Sequence, residues 1–153
     1  PDLVVDALWV EPANPVLGQS VVFGASVRNQ GNLATESWFF LDWYVDHLPS
    51  GRADLSNVDR YAIAPVLGPG AGWVVTVTAS SVFTVPGEYR LYVQADTYDG
   101  VNCNAGWGCV LESNEGNNIG GPVTVTVRGS SLTPTPTPAY HIYLPVILRA
   151  YGP

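Results

Sequence analysis

Apolar and polar residues alternate with a period of two along most of this chain, and proline or glycine interrupts the alternation before a helix could form. Alternation puts successive side chains on opposite faces of an extended backbone, so each such run is a half-buried strand. Asp2 to Val10 opens the set and stops at Glu11-Pro-Ala-Asn-Pro15, where two prolines cannot continue a ladder. From Ser20 to Arg28, Val21, Phe23, Ala25 and Val27 share one face, and Asn29-Gln-Gly-Asn32 reads as a turn. Glu36 to Asp46 sets Phe39, Leu41, Trp43 and Val45 against Asp42, Tyr44 and Asp46, and an irregular polar stretch then leads to a short strand at Arg60–Ala64. Trp73 to Val85 is rich in β-formers. Glu88 to Tyr98 alternates Tyr89, Leu91, Val93 and Ala95 with Arg90, Tyr92, Gln94 and Asp96, and Pro122 to Arg128 closes the series. Seven strands spaced by turns, with no helix between them, predict an all-β, seven-stranded antiparallel immunoglobulin-like sandwich over residues 1–128. Trp43 falls where a core aromatic belongs. Tyr89, just after Pro86-Gly87, falls where a tyrosine corner belongs.

Composition narrows the function. Lys+Arg total 6 against 13 Asp+Glu, a formal charge of −7, which is the wrong balance for displacing counterions from a phosphate backbone; no nucleic-acid partner is expected. Every cation is an arginine, so chemistry that needs a lysine (a Schiff base, a Walker-type phosphate loop, an isopeptide crosslink) is excluded. No stretch approaches the roughly 20 apolar residues of a membrane-spanning helix. Met is absent, so a processed or excised chain is expected, with any signal peptide already removed.

Five short motifs fall in order along the same region: Pro1-Asp-Leu-Val-Val5, Arg28-Asn-Gln-Gly31, Trp43-Tyr-Val-Asp46, Pro86-Gly-Glu-Tyr89 and Glu112-Ser-Asn-Glu-Gly-Asn-Asn118. Together they resemble the CARDB domain, a bacterial cell-surface module named for cell adhesion. The resemblance covers residues 1–128 and implies the same seven-stranded sandwich, with a role as a spacer in secreted proteins. The chain departs from the pattern by the insertion carrying Cys103 and Cys109.

Those two cysteines stand in Val101-Asn-Cys-Asn-Ala-Gly-Trp-Gly-Cys-Val110, a loop flexible enough to close, and a disulfide between them is expected over free thiols. A disulfide implies an oxidising compartment and hence export to the cell surface or beyond. His47 and His141 lie far from the pair and lack the neighbours of a catalytic triad, so no catalytic residue is assigned and no enzyme is expected. Calcium is the one credible cofactor. Asp96, Asp99 and Asn102 precede the cysteine loop, and Glu112, Asn114, Glu115, Asn117 and Asn118 follow it. Hard oxygen ligands on two segments drawn together suit that ion, with Asp96, Asp99, Glu112 and Asn114 as the chosen set; the alternative is that these residues only form turns. A glycan-binding face is a further option, with Trp38, Tyr44, Tyr92 or Trp107 exposed. Asp42 and Asp46 share a face read as solvated.

The tail is a separate problem. Residues 129–139 form a Thr/Pro-rich linker that favours extended polyproline geometry, and Thr133, Thr135 and Thr137 resemble O-glycosylation acceptors in such stalks. Residues 140–153 follow with an apolar strand. Tyr140, Ile142, Leu144, Val146 and Leu148 line one side, and Tyr143, Ile147 and Tyr151 the other. Water does not tolerate such a strand, and the sandwich already has seven. It can fold back as an eighth strand, act as an attachment signal, or insert into the next copy. The last is preferred here. The expectation is a structural subunit of an extracellular filament, a homopolymer joined head-to-tail by its C-terminal strand; the alternative is a surface adhesion module binding calcium or a host glycan.

Overall fold

The computed structural model describes residues 1–50, 57–97 and 108–130. Seven strands follow one another: β1 (Leu3–Glu11), β2 (Val21–Asn29), β3 (Phe39–Val45), β4 (Arg60–Ala64), β5 (Gly72–Ala79), β6 (Gly87–Thr97) and β7 (Ile119–Val127). They form two antiparallel sheets, one ordered β1-β2-β5 and the other β4-β3-β6-β7. Consecutive strands β1 and β2 pair as a hairpin, whereas the chain crosses between layers at β2–β3, β4–β5 and β5–β6. That crossing pattern gives a two-layer sandwich, the architecture the alternation predicts.

The inward faces are the ones the period-two pattern identifies. Val21, Phe23, Ala25 and Val27 of β2 meet Phe39, Leu41 and Trp43 of β3, with Leu91, Val93 and Ala95 of β6 and Val125 and Val127 of β7 completing one cluster. Among the described residues the cluster runs from Leu3 to Val127. Tyr89 is the expected corner, its hydroxyl donating to the Val85 carbonyl at 2.8 Å. Its ring also packs against Phe83 at 4.7 Å between centroids. The fifth strand ends at Ala79, short of Val85, because Ser81 turns the backbone to φ 59 and leaves the extended region. On the outer face of the smaller sheet, Gly24 lies opposite Trp9; a Cβ there would sit 2.0 Å from the indole, so only glycine lets the ring lie flat across β2.

Two ends of the sandwich are tied differently. At one end, Val16 bridges Arg128 in parallel, with Leu17 N–H donating to the Arg128 carbonyl and Arg128 N–H to Pro15, both at 2.8 Å. At the other, Pro1 to Leu3 meets the segment joining β6 to β7. Among the described residues no helix is long and apolar enough to cross a membrane.

Candidate functional site

The second end gathers the buried charge. Asp96, near the end of β6, takes φ 57, a left-handed conformation that asparagine and aspartate tolerate better than most residues, and this turns its carboxylate out of the ladder's alternation. That carboxylate receives the returning chain: Cys109 N–H donates to Oδ1 at 2.8 Å, and Val110 N–H to Oδ1 at 3.1 Å and Oδ2 at 3.0 Å. Gly108 makes the approach possible. A Cβ on it would stand 2.1 Å from the Asp96 carbonyl oxygen, at a φ of 130 that L side chains rarely adopt.

Glu112 completes the clasp. One of its carboxylate oxygens accepts from Leu3 N–H, and the other accepts from Asn118 Nδ2 at 2.7 Å. Ser113 N–H donates to the Pro1 carbonyl at 3.0 Å, and Asn117 Nδ2 to Asp2 at 2.8 Å. Glu115 folds back so that Oε1 accepts the Glu112 N–H at 3.0 Å, which leaves its Oε2 buried with no hydrogen-bond partner. Asn118 Oδ1 is buried without a partner as well.

One carboxylate oxygen from each of Asp96, Glu112 and Glu115 lies within 4.8 Å of the others. Three negative charges so close and so dry repel one another and lack water. Burial pushes the Asp96 carboxyl up to about 7 against the pull of the Cys109 and Val110 amides, and Glu115 raises it further. Burial likewise carries Glu112 up to about 8, with Asp96 and Glu115 adding to the shift. The cluster can therefore hold shared protons, or a hard cation that takes their place.

The sequence set is partly assembled. Asp96 and Glu112 come together. Glu115 stands with them; Asn114 is exposed, its Oδ1 accepting the Gly116 N–H at 3.1 Å in a local turn. Asp99, Cys103, Trp107 and the tail residues from Ser131 onward, including Thr133, Thr135, Thr137, Tyr140, Ile142, Leu144, Val146 and Leu148, lie outside the described residues.

The outward face of the larger sheet corrects a different expectation. Tyr44 and Tyr92, paired across β3 and β6, are buried although they stand outside the core cluster, so neither offers a ring to a sugar. Asp42, expected in water, is buried beside them opposite Gln94, and desolvation raises its carboxyl to about 6. Asp46 is exposed and caps the Arg90 N–H at 2.7 Å. Trp38 alone of the four aromatics is described and exposed, edge-on to Phe40 at 5.5 Å, and Phe40 is edge-on to Tyr61 at 5.8 Å.

The CARDB family model matches residues 1–120. No curated protein matches the chain. Among solved structures, the CARDB domain of the PF1109 protein from Pyrococcus furiosus, crystallised in complex with di-metal ions, is 23% identical with a TM-score of 0.55, covering 83% of this chain and 88% of that one. A domain of a candidate cell-surface protein from Methanosarcina acetivorans is 24% identical with a TM-score of 0.56, covering 83% and 91%. A β-glucosidase from Erythrobacter marinus shares the fold at 17% identity and a TM-score of 0.51, the match covering 82% of this chain but 15% of the enzyme.

Proposed function

Since the chain belongs to the CARDB family and resembles domains of cell-surface proteins, we propose that it is a non-catalytic structural subunit of an extracellular filament, joined head-to-tail by its C-terminal strand. One observation carries this reading. The described residues already build seven strands in two sheets around one core, the full complement of an immunoglobulin-like sandwich, so the apolar strand expected at 140–151 is an eighth. Burying Ile142, Leu144, Val146 and Leu148 in a neighbour is worth roughly 6–12 kcal/mol before ordering costs. A head-to-tail contact does not close on itself, so it propagates. The test is imaging of the purified full chain beside Leu144→Asp/Leu148→Asp: regular fibres from the former and monomers from the latter are expected, and fibres from both would overturn the reading. Export, a Cys103–Cys109 disulfide and glycans on Thr133, Thr135 and Thr137 belong to the same reading. Intact mass after alkylation without reductant reads the disulfide and the glycans together; two labelled thiols count against the bond.

A second reading concerns the clasp and is compatible with the first. The buried, unpartnered Oε2 of Glu115 within a three-carboxylate cluster favours a divalent cation held by Asp96, Glu112 and Glu115, and calcium matches these all-oxygen donors. That the Pyrococcus furiosus CARDB domain was crystallised with di-metal ions supports a cation at this domain. Bound there, the ion would offset two of the three negative charges and tie the β6–β7 connection to the start of β1. Millimolar calcium added after chelation should raise the melting temperature, because a ligand that binds only the folded state stabilises it. An unchanged melting temperature would end the idea.

A further inference from the structure

Asn118 is the last residue before β7, and the sheet register fixes where it stands. Ile119 pairs with Gln94 on β6, and the Asn118 carbonyl accepts the Ala95 N–H at 2.9 Å, so the residue lies beside Asp96. It is 4% exposed. An ionised carboxylate accepts hydrogen bonds and cannot donate them, so the 2.7 Å bond to Glu112 comes from Nδ2, and this orients the amide. Oδ1 sits on the same carbon as Nδ2. It is therefore at most about 5 Å from the Glu112 oxygen, the reach of that bond plus the two amide bonds. Oδ1 is buried and has no hydrogen-bond partner, and Glu115 Oε2 is in the same condition. A carbonyl oxygen buried without a partner costs stability, and the bond to Glu112 does not account for it, since that bond uses only the nitrogen.

We propose that Asn118 Oδ1 is a fourth ligand of the cation held by Asp96, Glu112 and Glu115, and that this residue sets the preference for calcium over magnesium. The proposal rests on the cation reading above and adds to it the choice of ion. Three carboxylates already exceed the charge of a divalent ion, so a further anionic ligand would add repulsion. An amide oxygen adds a donor and no charge. Calcium takes about six to eight oxygens in a flexible shell, whereas magnesium demands a small octahedron and keeps several of its waters. A dry site that supplies four protein oxygens therefore suits the ion that gives up water readily. One amide performs two tasks here. Through Oδ1 it meets the ion, and through Nδ2 it holds Glu112; a cation on the oxygen strengthens the nitrogen as a donor.

The experiment strips the full chain with chelator and titrates it by calorimetry, with calcium alone and with magnesium alone. The unaltered protein should bind calcium more tightly than magnesium by about tenfold or more. In Asn118→Ala, calcium affinity should fall about tenfold while magnesium affinity changes little, so the ratio collapses. If Asn118 only holds Glu112 in place, the variant weakens both ions alike and the ratio stands, which overturns its part as a ligand. Asn114→Ala, at the exposed amide of the adjoining turn, should leave both affinities unchanged; an equal loss there traces the effect to the turn and overturns the assignment as well. An unaltered protein that binds both ions equally, or prefers magnesium, overturns the selection of calcium. One that binds neither ion overturns the cation reading itself. Should Asn118→Ala fail to melt cooperatively, a crystal of the unaltered chain grown with calcium decides. Oδ1 at about 2.3–2.6 Å from the ion is expected, and a water between them, or Oδ1 turned away, overturns the proposal.

Discussion

The centre of this sandwich and its N-terminal end are both buried, yet they are held by opposite means. The centre is dry and apolar: Phe23, Leu41, Trp43 and Val93 interlock between sheets, and removal of water from their surfaces is the driving force. The end is dry and polar: Asp96, Glu112, Glu115 and Asn118 gather backbone amides from Leu3, Cys109 and Val110, and their burial is tolerated only while each charge has a partner, a proton or a cation. The lesson is that burial alone does not tell how a region responds to its surroundings. The centre should be indifferent to pH and calcium, and the end sensitive to both.

The largest effect should come from the centre. Trp43→Ala removes a fully buried indole and should cost about 3–5 kcal/mol, read as a drop in the denaturation midpoint that is the same at pH 5 and pH 8. A loss that changed strongly with pH would mean that the two regions are coupled. A smaller effect separates the end from the centre. The Asp96 and Glu112 carboxyls, at about 7 and about 8, lie above the roughly 4 of an unfolded carboxyl. The folded protein thus keeps protons that the unfolded chain releases. That stabilisation is complete below about pH 4 and is lost as pH rises through 7 and 8. In chelator, the melting temperature should fall between pH 5 and pH 8; Glu112→Gln, which cannot ionise, should flatten the fall. A melting temperature that rises across this window would show that the carboxyls are not raised. The smallest effect is Tyr89→Phe, which deletes the bond to Val85 while keeping the ring on Phe83, and should cost about 1 kcal/mol by denaturant titration.

Much of the centre was legible in the sequence, because alternation states which side chains share a face: Phe23 with Val21 and Val27, Trp43 with Phe39 and Leu41. The tyrosine corner was legible for the same local reason, a proline-glycine turn followed by a tyrosine. Parity does not state whether a face is covered: it puts Asp42, Tyr44 and Tyr92 on the outward side of the sheet, yet all three are buried. At the end, Asp96 and Glu112 were visible as oxygen ligands flanking one loop. That Glu115 stands with them was not, since its carboxylate is placed by folding back onto the Glu112 N–H. The link from Glu112 to Leu3 spans nearly the whole domain in sequence, and no pattern of residues announces it.

That link has a mechanical meaning. Pro1 lies beside Ser113, next to the bond from Leu3 to Glu112, and Arg128 lies beside Pro15 and Leu17 at the opposite end. Tension drawn along the polypeptide therefore runs the full length of the domain and loads the clasp at one end and the Arg128 bridge at the other. Neither strand end can be peeled away before the bonds guarding it give way. Three carboxylates bound to one ion would make the first of those guards a catch whose strength follows the calcium in the surrounding water.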